Sequence, residues 1–137
     1  MPRIASESQA TAIYLPESAV QHKTAGPYSP VLKVKSSALV AISGQGPIDS
    51  DGNIHGRNIE EQTVFTLENC RRQLDAAGAT FADVFKVVVY LRDMADWDAF
   101  NVVYRRYLIP PFPVRTAIQA VLWGHIKVEI DMLATGK

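Results

Sequence analysis

The sequence Phe85-Lys86-Val87-Val88-Val89-Tyr90-Leu91 decides the fold. It is almost entirely apolar and rich in β-branched residues, which favour an extended backbone. A strand with apolar side chains on both faces is typical of the centre of a sheet, where both faces are covered. This stretch therefore predicts a central strand that is buried on both sides, with the other elements arranged around it.

Two helices are predicted, one before and one after this strand. The first is predicted over residues 58–77, because apolar residues recur there at helical spacing and Asn58 can cap its start. The second begins at Asp93 or Asp96, either of which can act as an N-cap, and runs to about Leu108. Each helix has one apolar side with which it can cover a sheet.

Shorter stretches with strand-like composition complete the pattern. The predicted strands are residues 12–15, 31–35, 38–42, 116–122 and 126–131. The connection Ser36-Ser37 predicts a hairpin between the second and third of them. The order of strands and helices then predicts an α+β domain of two layers, a mixed β-sheet with two helices on one face.

The second face of such a sheet has no helix to cover it. Apolar side chains such as Val31, Val34, Val40 and Ile118 are therefore expected to remain at the surface there. A contiguous apolar patch of this kind favours self-association.

Composition limits the class of protein. A chain of 137 residues suffices for one domain, predicted over residues 1–137, with the polar residues 1–10 as a flexible N-terminal arm. Fourteen Lys and Arg balance fourteen Asp and Glu, so the formal net charge is +0 and nucleic acid is not an expected partner. The apolar runs are too short to cross a membrane. The single cysteine, Cys70, fits a reducing compartment, and we expect a cytoplasmic protein.

A functional site is predicted around Arg115. It follows the proline-rich stretch 110–113, at the point where irregular backbone becomes a strand. Its guanidinium is a rigid fork of donors that matches a carboxylate. If the last two strands pair as a hairpin across Trp123-Gly124, Arg115 and Glu129 lie on neighbouring strands. From spacing alone, a surface ion pair or solvated strand charges would explain them equally simply.

Other reactive side chains show no pattern that indicates chemistry. Histidines 22, 55 and 125 are far apart and lack ligand spacing, so no metal site is predicted. Cys70 lies on the apolar side of the first predicted helix, which indicates a buried structural thiol rather than a nucleophile.

Several motifs resemble the RidA/YjgF family, in order over roughly residues 20–134. They are Gly26-Pro27-Tyr28-Ser29-Pro30, Ile42-Ser43-Gly44-Gln45-Gly46-Pro47, Phe100-Asn101-Val102-Val103-Tyr104, Phe112-Pro113-Val114-Arg115-Thr116 and Val128-Glu129-Ile130-Asp131. The resemblance implies a chorismate-mutase-like α+β fold and a homotrimer with active sites in the clefts between subunits. It also implies a reactive-intermediate deaminase that needs no cofactor and hydrolyses enamines and imines such as 2-aminoacrylate to 2-oxo acids and ammonia.

The resemblance further implies roles for individual residues. Arg115 matches the arginine that holds the substrate carboxylate, and Glu129 matches the glutamate that orients or activates the hydrolytic water. The positions that match the rest of the substrate pocket are Tyr28, Ser43, Gly44 and Asn101.

Two positions depart from the family pattern. Ala117 stands where many members have cysteine, although its backbone N–H can still bind a carboxylate. Trp123 lies in a connection that is shorter by one residue than in many members. Its ring is expected either at the rim of the pocket or against a neighbouring subunit.

The sequence therefore predicts a 2-iminobutanoate/2-iminopropanoate-type deaminase that binds a small imino acid and releases a 2-oxo acid. Two alternatives stay open. One is a pathway-specific deaminase or hydrolase acting on another small unsaturated amino acid. The other is a non-catalytic trimer that binds ligands or acts as a chaperone.

Overall fold

The chain folds into six strands and two α-helices over residues 12–136, the part that this computed structural model describes. The strands are β1 (Ala12–Tyr14), β2 (Lys33–Lys35), β3 (Ala38–Gln45), β4 (Val84–Leu91), β5 (Val114–Gln119) and β6 (Val128–Gly136), and the helices are α1 (Ile59–Ala76) and α2 (Trp97–Tyr104). The N-terminal arm predicted at residues 1–10 lies outside the described residues. The predicted two-layer α+β architecture is confirmed.

The main sheet has the strand order β3-β6-β4-β5. β4 pairs in parallel with β5 and antiparallel with β6, so its predicted central position is confirmed. Its predicted burial on both sides is wrong for a single chain. Val87 and Val89 are completely buried beneath the helices. Val88 and Tyr90, on the opposite face, remain partly exposed because nothing within the described chain covers them.

Both predicted hairpins are wrong. β2 pairs with β1 in a separate two-stranded sheet, and β3 pairs with β6. β5 and β6 are not neighbours either, because β4 lies between them. The reason lies in their burial. β6 has buried side chains along its helix-facing side and takes an inner position, whereas β5 has no fully buried side chain and forms an edge.

The two helices pack on the same face of the main sheet, as predicted. α1 has nearly its predicted bounds, and the Asn58 side chain caps it by accepting a hydrogen bond from the Glu61 N–H at 2.9 Å. α2 is shorter than predicted. It ends at Tyr104, and residues 105–107 form a turn ahead of Pro110 and Pro111, which cannot continue a helix. Within residues 12–136, neither helix has the length and apolar character that a membrane span requires.

The core fills the space between the helices and the sheet. Its central side chains are Leu67, Cys70 and Leu74 of α1, Phe100, Val103 and Tyr104 of α2, and Val87, Val89, Ile130 and Met132 of the sheet. Burial raises the pKa of the Cys70 thiol to about 12, so the thiol stays protonated at neutral pH. This agrees with the prediction of a structural cysteine.

The face of the sheet away from the helices is open in the single chain. Leu39 of β3 and Ile118 of β5 lie on this face and are 66% and 44% exposed. The prediction for Ile118 is therefore confirmed, but that for Val40 is wrong, because its side chain packs against the core. Val31 and Val34 are exposed but lie outside the main sheet.

Candidate active site

Arg115 lies near the start of β5, and aromatic rings enclose its guanidinium. The side chain is on the helix side of the sheet, since its register partner on β4, Val87, is part of the core. The ring centroids that surround Cζ are those of Tyr104 at 4.8 Å, Trp97 at 5.0 Å, Tyr28 at 5.3 Å and Phe100 at 5.7 Å. Cation–π attraction stabilises the charge in this position.

Within the described residues no acceptor has good hydrogen-bond geometry toward the guanidinium, although the Tyr104 hydroxyl is close enough to interact with it. Its Nε, Nη1 and Nη2 atoms are all buried without an acceptor. Burial lowers the pKa of Arg115, but a guanidinium remains charged at neutral pH. A buried cation without hydrogen-bond partners is unfavourable, so the position favours the binding of an anion. A carboxylate can reach the nitrogens only after one of the covering groups moves.

Helix α2 supplies one side of this site. Trp97, Asn101 and Tyr104 recur at i, i+4 and i+7, so they share the side of the helix that faces Arg115. Asn101 is 4% exposed and Tyr104 is fully buried. The Oδ1 atom of Asn101 and the hydroxyl of Tyr104 have no hydrogen-bond partner in the described part of the chain. Burial raises the pKa of Tyr104, so its hydroxyl is neutral and can donate a hydrogen bond.

The chain segment 26–29 closes the other side. The Ser29 N–H donates to the Pro113 carbonyl at 3.1 Å, and the Ser29 hydroxyl donates to the carbonyl of Phe112. These bonds tie the segment to the residues just before β5 and hold the Tyr28 ring beside Arg115. The Tyr28 hydroxyl is in turn 3.3 Å from Nε2 of the exposed His22.

Gly26 is a position of close approach. A Cβ atom there would lie 3.1 Å from the Trp97 ring, 3.2 Å from Nη2 of Arg115 and 3.3 Å from Nδ2 of Asn101. Such distances are too tight for an ordinary side chain, so a glycine lets the segment pack directly on the site.

Glu129 lies on the opposite, open face of the sheet. Its register partner on β4 is Tyr90, whose hydroxyl donates to the Asp131 carboxylate at 2.9 Å on that face. Gly44 sits in a bulge of β3, where a Cβ atom would overlap the carboxylate of Glu129. The structure therefore brings Gly44 and Glu129 together, as the prediction of a common pocket requires.

Arg115 and Glu129 are not neighbours within one chain. β4 separates their strands, and their side chains emerge on opposite faces of the sheet. The prediction that they lie on adjacent strands is wrong because β4, not β6, pairs with β5. The same separation excludes an ion pair between them, and a small ligand on Arg115 does not reach Glu129 of the same chain.

Two other predicted positions follow this division between the faces. Ala117 lies on β5 on the same side as Arg115 and packs partly against the core. Ser43 is exposed in the β3 bulge, beside Gly44 and close to the Glu129 side of the sheet.

Trp123 lies far from Arg115 in the same chain. Five residue-to-residue steps of extended backbone lead from Arg115 to Ala120, a distance of about 16 Å. The connection that carries Trp123 is held by Arg92, whose guanidinium donates to the carbonyls of Leu122, Gly124 and Ile126 at 2.6, 2.7 and 2.7 Å. The Trp123 ring is 68% exposed. A rim position beside Arg115 of its own chain is therefore excluded, and a role beside a second subunit stays a prediction.

Sequence reasoning missed Trp97, Tyr104 and Gly26 as site residues. In the sequence, the two aromatic residues fit the apolar side of the second predicted helix and indicate only a core role. A signal was present, because Asn101 interrupts this apolar side, and a polar residue in such a position needs a partner. Gly26 belongs to a motif that resembles the family, but nothing in the sequence indicates that its backbone packs against Arg115.

Metal ligands do not cluster in the described residues. Among residues 12–136, no group of three or more His, Cys, Asp or Glu side chains is placed to hold an ion. His55 instead bonds Asp49 at 2.6 Å and stacks on Phe65 at 4.5 Å.

Known proteins share both the motifs and the fold of this chain. The family model described as endoribonuclease L-PSP matches residues 18–136. A RutC family protein from Saccharolobus solfataricus is 39% identical over 114 residues, which cover 82% of this chain and 89% of that protein. The chloroplastic Reactive Intermediate Deaminase A of Arabidopsis thaliana is 37% identical over 112 residues, covering 80% of this chain and 59% of that protein. The crystal structure of a putative endoribonuclease from Thermotoga maritima superposes with a TM-score of 0.68 at 34% identity, covering 84% of this chain and 91% of that one. The chain therefore belongs to the RidA/YjgF family.

Proposed function

We propose that this protein is an enamine/imine deaminase that hydrolyses 2-aminoacrylate-type intermediates to 2-oxo acids and ammonia. The observation that carries the proposal is the enclosed Arg115 guanidinium, whose nitrogens have no acceptor within residues 12–136. The relative named Reactive Intermediate Deaminase A supports the same class of reaction.

Arg115 binds and orients the substrate. A carboxylate can take two parallel hydrogen bonds from the guanidinium, each contributing about 1.5–3 kcal/mol. The rings of Tyr28, Trp97 and Tyr104 hold the plane of the guanidinium, so the bound acid has a fixed orientation. The electrophilic carbon next to the carboxylate is then held in place for attack.

Glu129 acts as the general base for the hydrolytic water. The enamine first becomes the imine by taking a proton on its terminal carbon and losing one from nitrogen. Glu129 then accepts a proton from water as the water oxygen bonds to the imine carbon, which gives a tetrahedral adduct. Return of that proton to the nitrogen lets the C–N bond break and ammonia leave, while the hydroxyl of the adduct loses its proton as the carbonyl of the 2-oxo acid forms. A general base of this kind accelerates a step by roughly 10²–10⁴-fold, and the hydrolysis itself uses no cofactor.

The complete site requires two subunits. We propose that the substrate on Arg115 of one chain meets Glu129 of the partner subunit, and the position of the two residues on opposite faces of the sheet supports this. We place this site between subunits of a homotrimer, with the open apolar face around Leu39 and Ile118 as part of the contact. The single reduced cysteine is consistent with a cytoplasmic location.

A deaminase for a larger unsaturated amino acid is the second candidate. The large rings of Trp97 and Phe100 beside Arg115 favour it, because they offer apolar contact to a longer substrate. RNA cleavage, which the names of the family model and the Thermotoga relative suggest, has little support in a chain of formal net charge +0.

The test of activity is pyruvate release from enzymatically generated 2-aminoacrylate. We expect the wild type to accelerate release, Arg115→Ala to lose this effect, and the matched control Arg106→Ala, an exposed arginine, to keep it. No acceleration by the folded wild type would refute the deaminase. Binding of 2-oxo acids without turnover would instead favour the non-catalytic alternative.

Mixing two inactive variants tests whether the site is shared. Arg115→Ala and Glu129→Gln trimers each lack one group at every site. Random reassembly at equal amounts gives three-quarters mixed trimers, each with one intact site of three, so about one quarter of wild-type activity should return. A site within one chain would give no recovery after reassembly.

A further inference from the structure

A positively charged cleft lies beside the connection between β5 and β6. Among the described residues, its lining holds four basic side chains and no acidic one; the basic residues are Arg57, Arg92, His125 and Lys127. The space measures about 580 Å³, which is in the range of small-molecule sites. Because the formal net charge of the whole chain is +0, the positive charge of this cleft is a local feature.

Arg92 holds a fixed guanidinium at the cleft. Its Nε and Nη2 atoms donate to the carbonyls of Ile126, Leu122 and Gly124. These bonds use three of the five donors of a guanidinium, and the two on Nη1 have no acceptor within residues 12–136. Nη1 is not buried, so its donors are open to a ligand from solution. The side chain already has one orientation, and an anion that binds it therefore immobilises little that was free before.

Gln62 of α1 joins the walls of the cleft. It is fully buried, and its amide nitrogen donates to the carbonyls of Gly56 at 3.3 Å and His125 at 3.2 Å. Its amide oxygen accepts a hydrogen bond from the Lys127 N–H at 2.7 Å. A Cβ atom on Gly56 would lie 2.8 Å from Cγ of Gln62, so only a glycine allows this close approach. The cleft therefore has a defined shape before any ligand arrives.

Two cations of the cleft have no carboxylate partner. The guanidinium of Arg57 pairs with Glu61 at 3.3 Å, whereas Arg92 and Lys127 form no ion pair within residues 12–136. Their backbones are adjacent, because the Arg92 N–H donates to the Lys127 carbonyl at 3.0 Å. Two unpaired cations that close together repel each other, and an anion that contacts both relieves the repulsion.

The chemistry of these two side chains favours a phosphate group over a carboxylate. A phosphate ester carries about two negative charges at neutral pH and three acceptor oxygens. It can accept hydrogen bonds from the two donors of a guanidinium nitrogen and from an ammonium group at the same time. A carboxylate has one charge and leaves the second cation without a partner.

We propose that this cleft binds the phosphate group of a small molecule, with Arg92 and Lys127 as its main contacts. Arg57 and His125 border the phosphate, and the remaining space holds the rest of the molecule. None of these residues belongs to the site around Arg115, so the inference does not rest on the proposed deaminase.

Calorimetry with inorganic pyrophosphate tests the site on the full chain. The buffer is free of divalent metal ions and contains about 0.15 M KCl, which screens attraction between distant charges. We expect saturable binding at one site per chain, with a Kd below about 1 mM.

Variants locate the binding site. Arg92 is not replaced, because its bonds hold the connection that lines the cleft. Lys127→Gln leaves those bonds intact and should weaken pyrophosphate binding about tenfold, the loss expected for one hydrogen bond between charged groups. The matched control Lys35→Gln, at an exposed lysine of β2, should keep the wild-type affinity. Arg115→Met should keep it as well, and circular dichroism verifies that each variant is folded.

Every other outcome decides against the cleft. No saturable binding by the folded wild type would overturn the inference. Equal weakening by Lys127→Gln and Lys35→Gln would also overturn it, because the attraction would then be to overall charge. Binding that is lost in Arg115→Met and kept in Lys127→Gln would assign the anion to the Arg115 site, which overturns the cleft and leaves the proposed function standing. Binding that depends on Lys127 in a protein without deaminase turnover would support the cleft while refuting the proposed function.

Discussion

Replacing Arg115 by methionine should make the protein more stable while abolishing binding of acids. The guanidinium is buried among four rings, and no acceptor within residues 12–136 has good hydrogen-bond geometry toward it. Its charge therefore opposes folding, because water solvates it well in the unfolded chain. Methionine has a similar length and no charge, and its sulfur makes favourable contacts with aromatic rings.

Two opposing contributions set the size of the effect. Replacing buried charged groups by apolar residues of similar volume stabilises proteins by about 1–4 kcal/mol. Loss of the cation–π contacts removes roughly 0.5–2 kcal/mol, which contacts between the methionine sulfur and the same rings partly replace. We expect a net gain of about 2 kcal/mol in the free energy of unfolding. With m of about 1–3 kcal/mol/M, the urea midpoint should rise by roughly 1 M.

Urea unfolding at equal subunit concentrations measures this gain, because association also changes apparent stability. The control is Arg106→Met, which removes an exposed arginine and should change the unfolding free energy by less than about 0.5 kcal/mol. Calorimetry with pyruvate reports the loss of binding. A decrease in stability of more than 1 kcal/mol for Arg115→Met would refute the reasoning, since it would mean that the guanidinium has a strong partner in solution.

Four further perturbations test other parts of the structure. Glu129→Gln should retain acid binding and slow turnover roughly 10²-fold. Gly44→Ala should slow turnover as well, because the new Cβ displaces the Glu129 carboxylate. An unchanged steady-state rate in either variant would contradict the prediction made for it. Cys70→Ala should keep full activity and lose roughly 1 kcal/mol of unfolding free energy, and loss of turnover in a folded variant would assign chemistry to the thiol. The hydrogen bond from His55 lowers the pKa of Asp49 to about 2. The stability that this bond gives the folded state is therefore fully present above about pH 4 and is lost as the pH falls towards 2. Acid unfolding curves should show this loss in the wild type and not in Asp49→Asn, and identical curves would contradict it.

Local sequence was sufficient for the elements that depend on nearby residues. α1 was predictable because its cap, Asn58, and its buried side chains recur within one continuous stretch. β4 was predictable as the central strand because its run of β-branched residues suits no other position. In each case the information lies within about twenty residues of the element itself.

Which strands pair depends on how segments from distant parts of the sequence compare in the apolar surface that they can bury, so no single segment predicts its partner. The short connection Trp123-Gly124 is compatible with a hairpin, yet β5 and β6 lie on either side of β4. β6 takes the inner place because Ile130 and Met132 complete the core, whereas β5 has nothing comparable to bury. Pairing is therefore decided by competition for burial across the whole sheet.

The same limit applies to the site. Arg115 and Glu129 could be named as candidates from the sequence, but the enclosure of the guanidinium combines residues from segment 26–29, helix α2 and strand β5. These three regions are separated by long stretches of sequence, and only the fold brings them together.

The separation of Arg115 and Glu129 has a chemical consequence. An arginine and a glutamate side by side in a buried pocket would pair with each other, and a substrate carboxylate would have to break that pair. In this fold a sheet lies between them, so no carboxylate of residues 12–136 competes for the guanidinium. Under the proposed function, assembly then brings the partner's Glu129 only as far as the substrate carbon, while Arg115 meets the carboxylate. If the proposed function holds, placing the two groups on opposite faces keeps the arginine available for its ligand and makes catalysis depend on association.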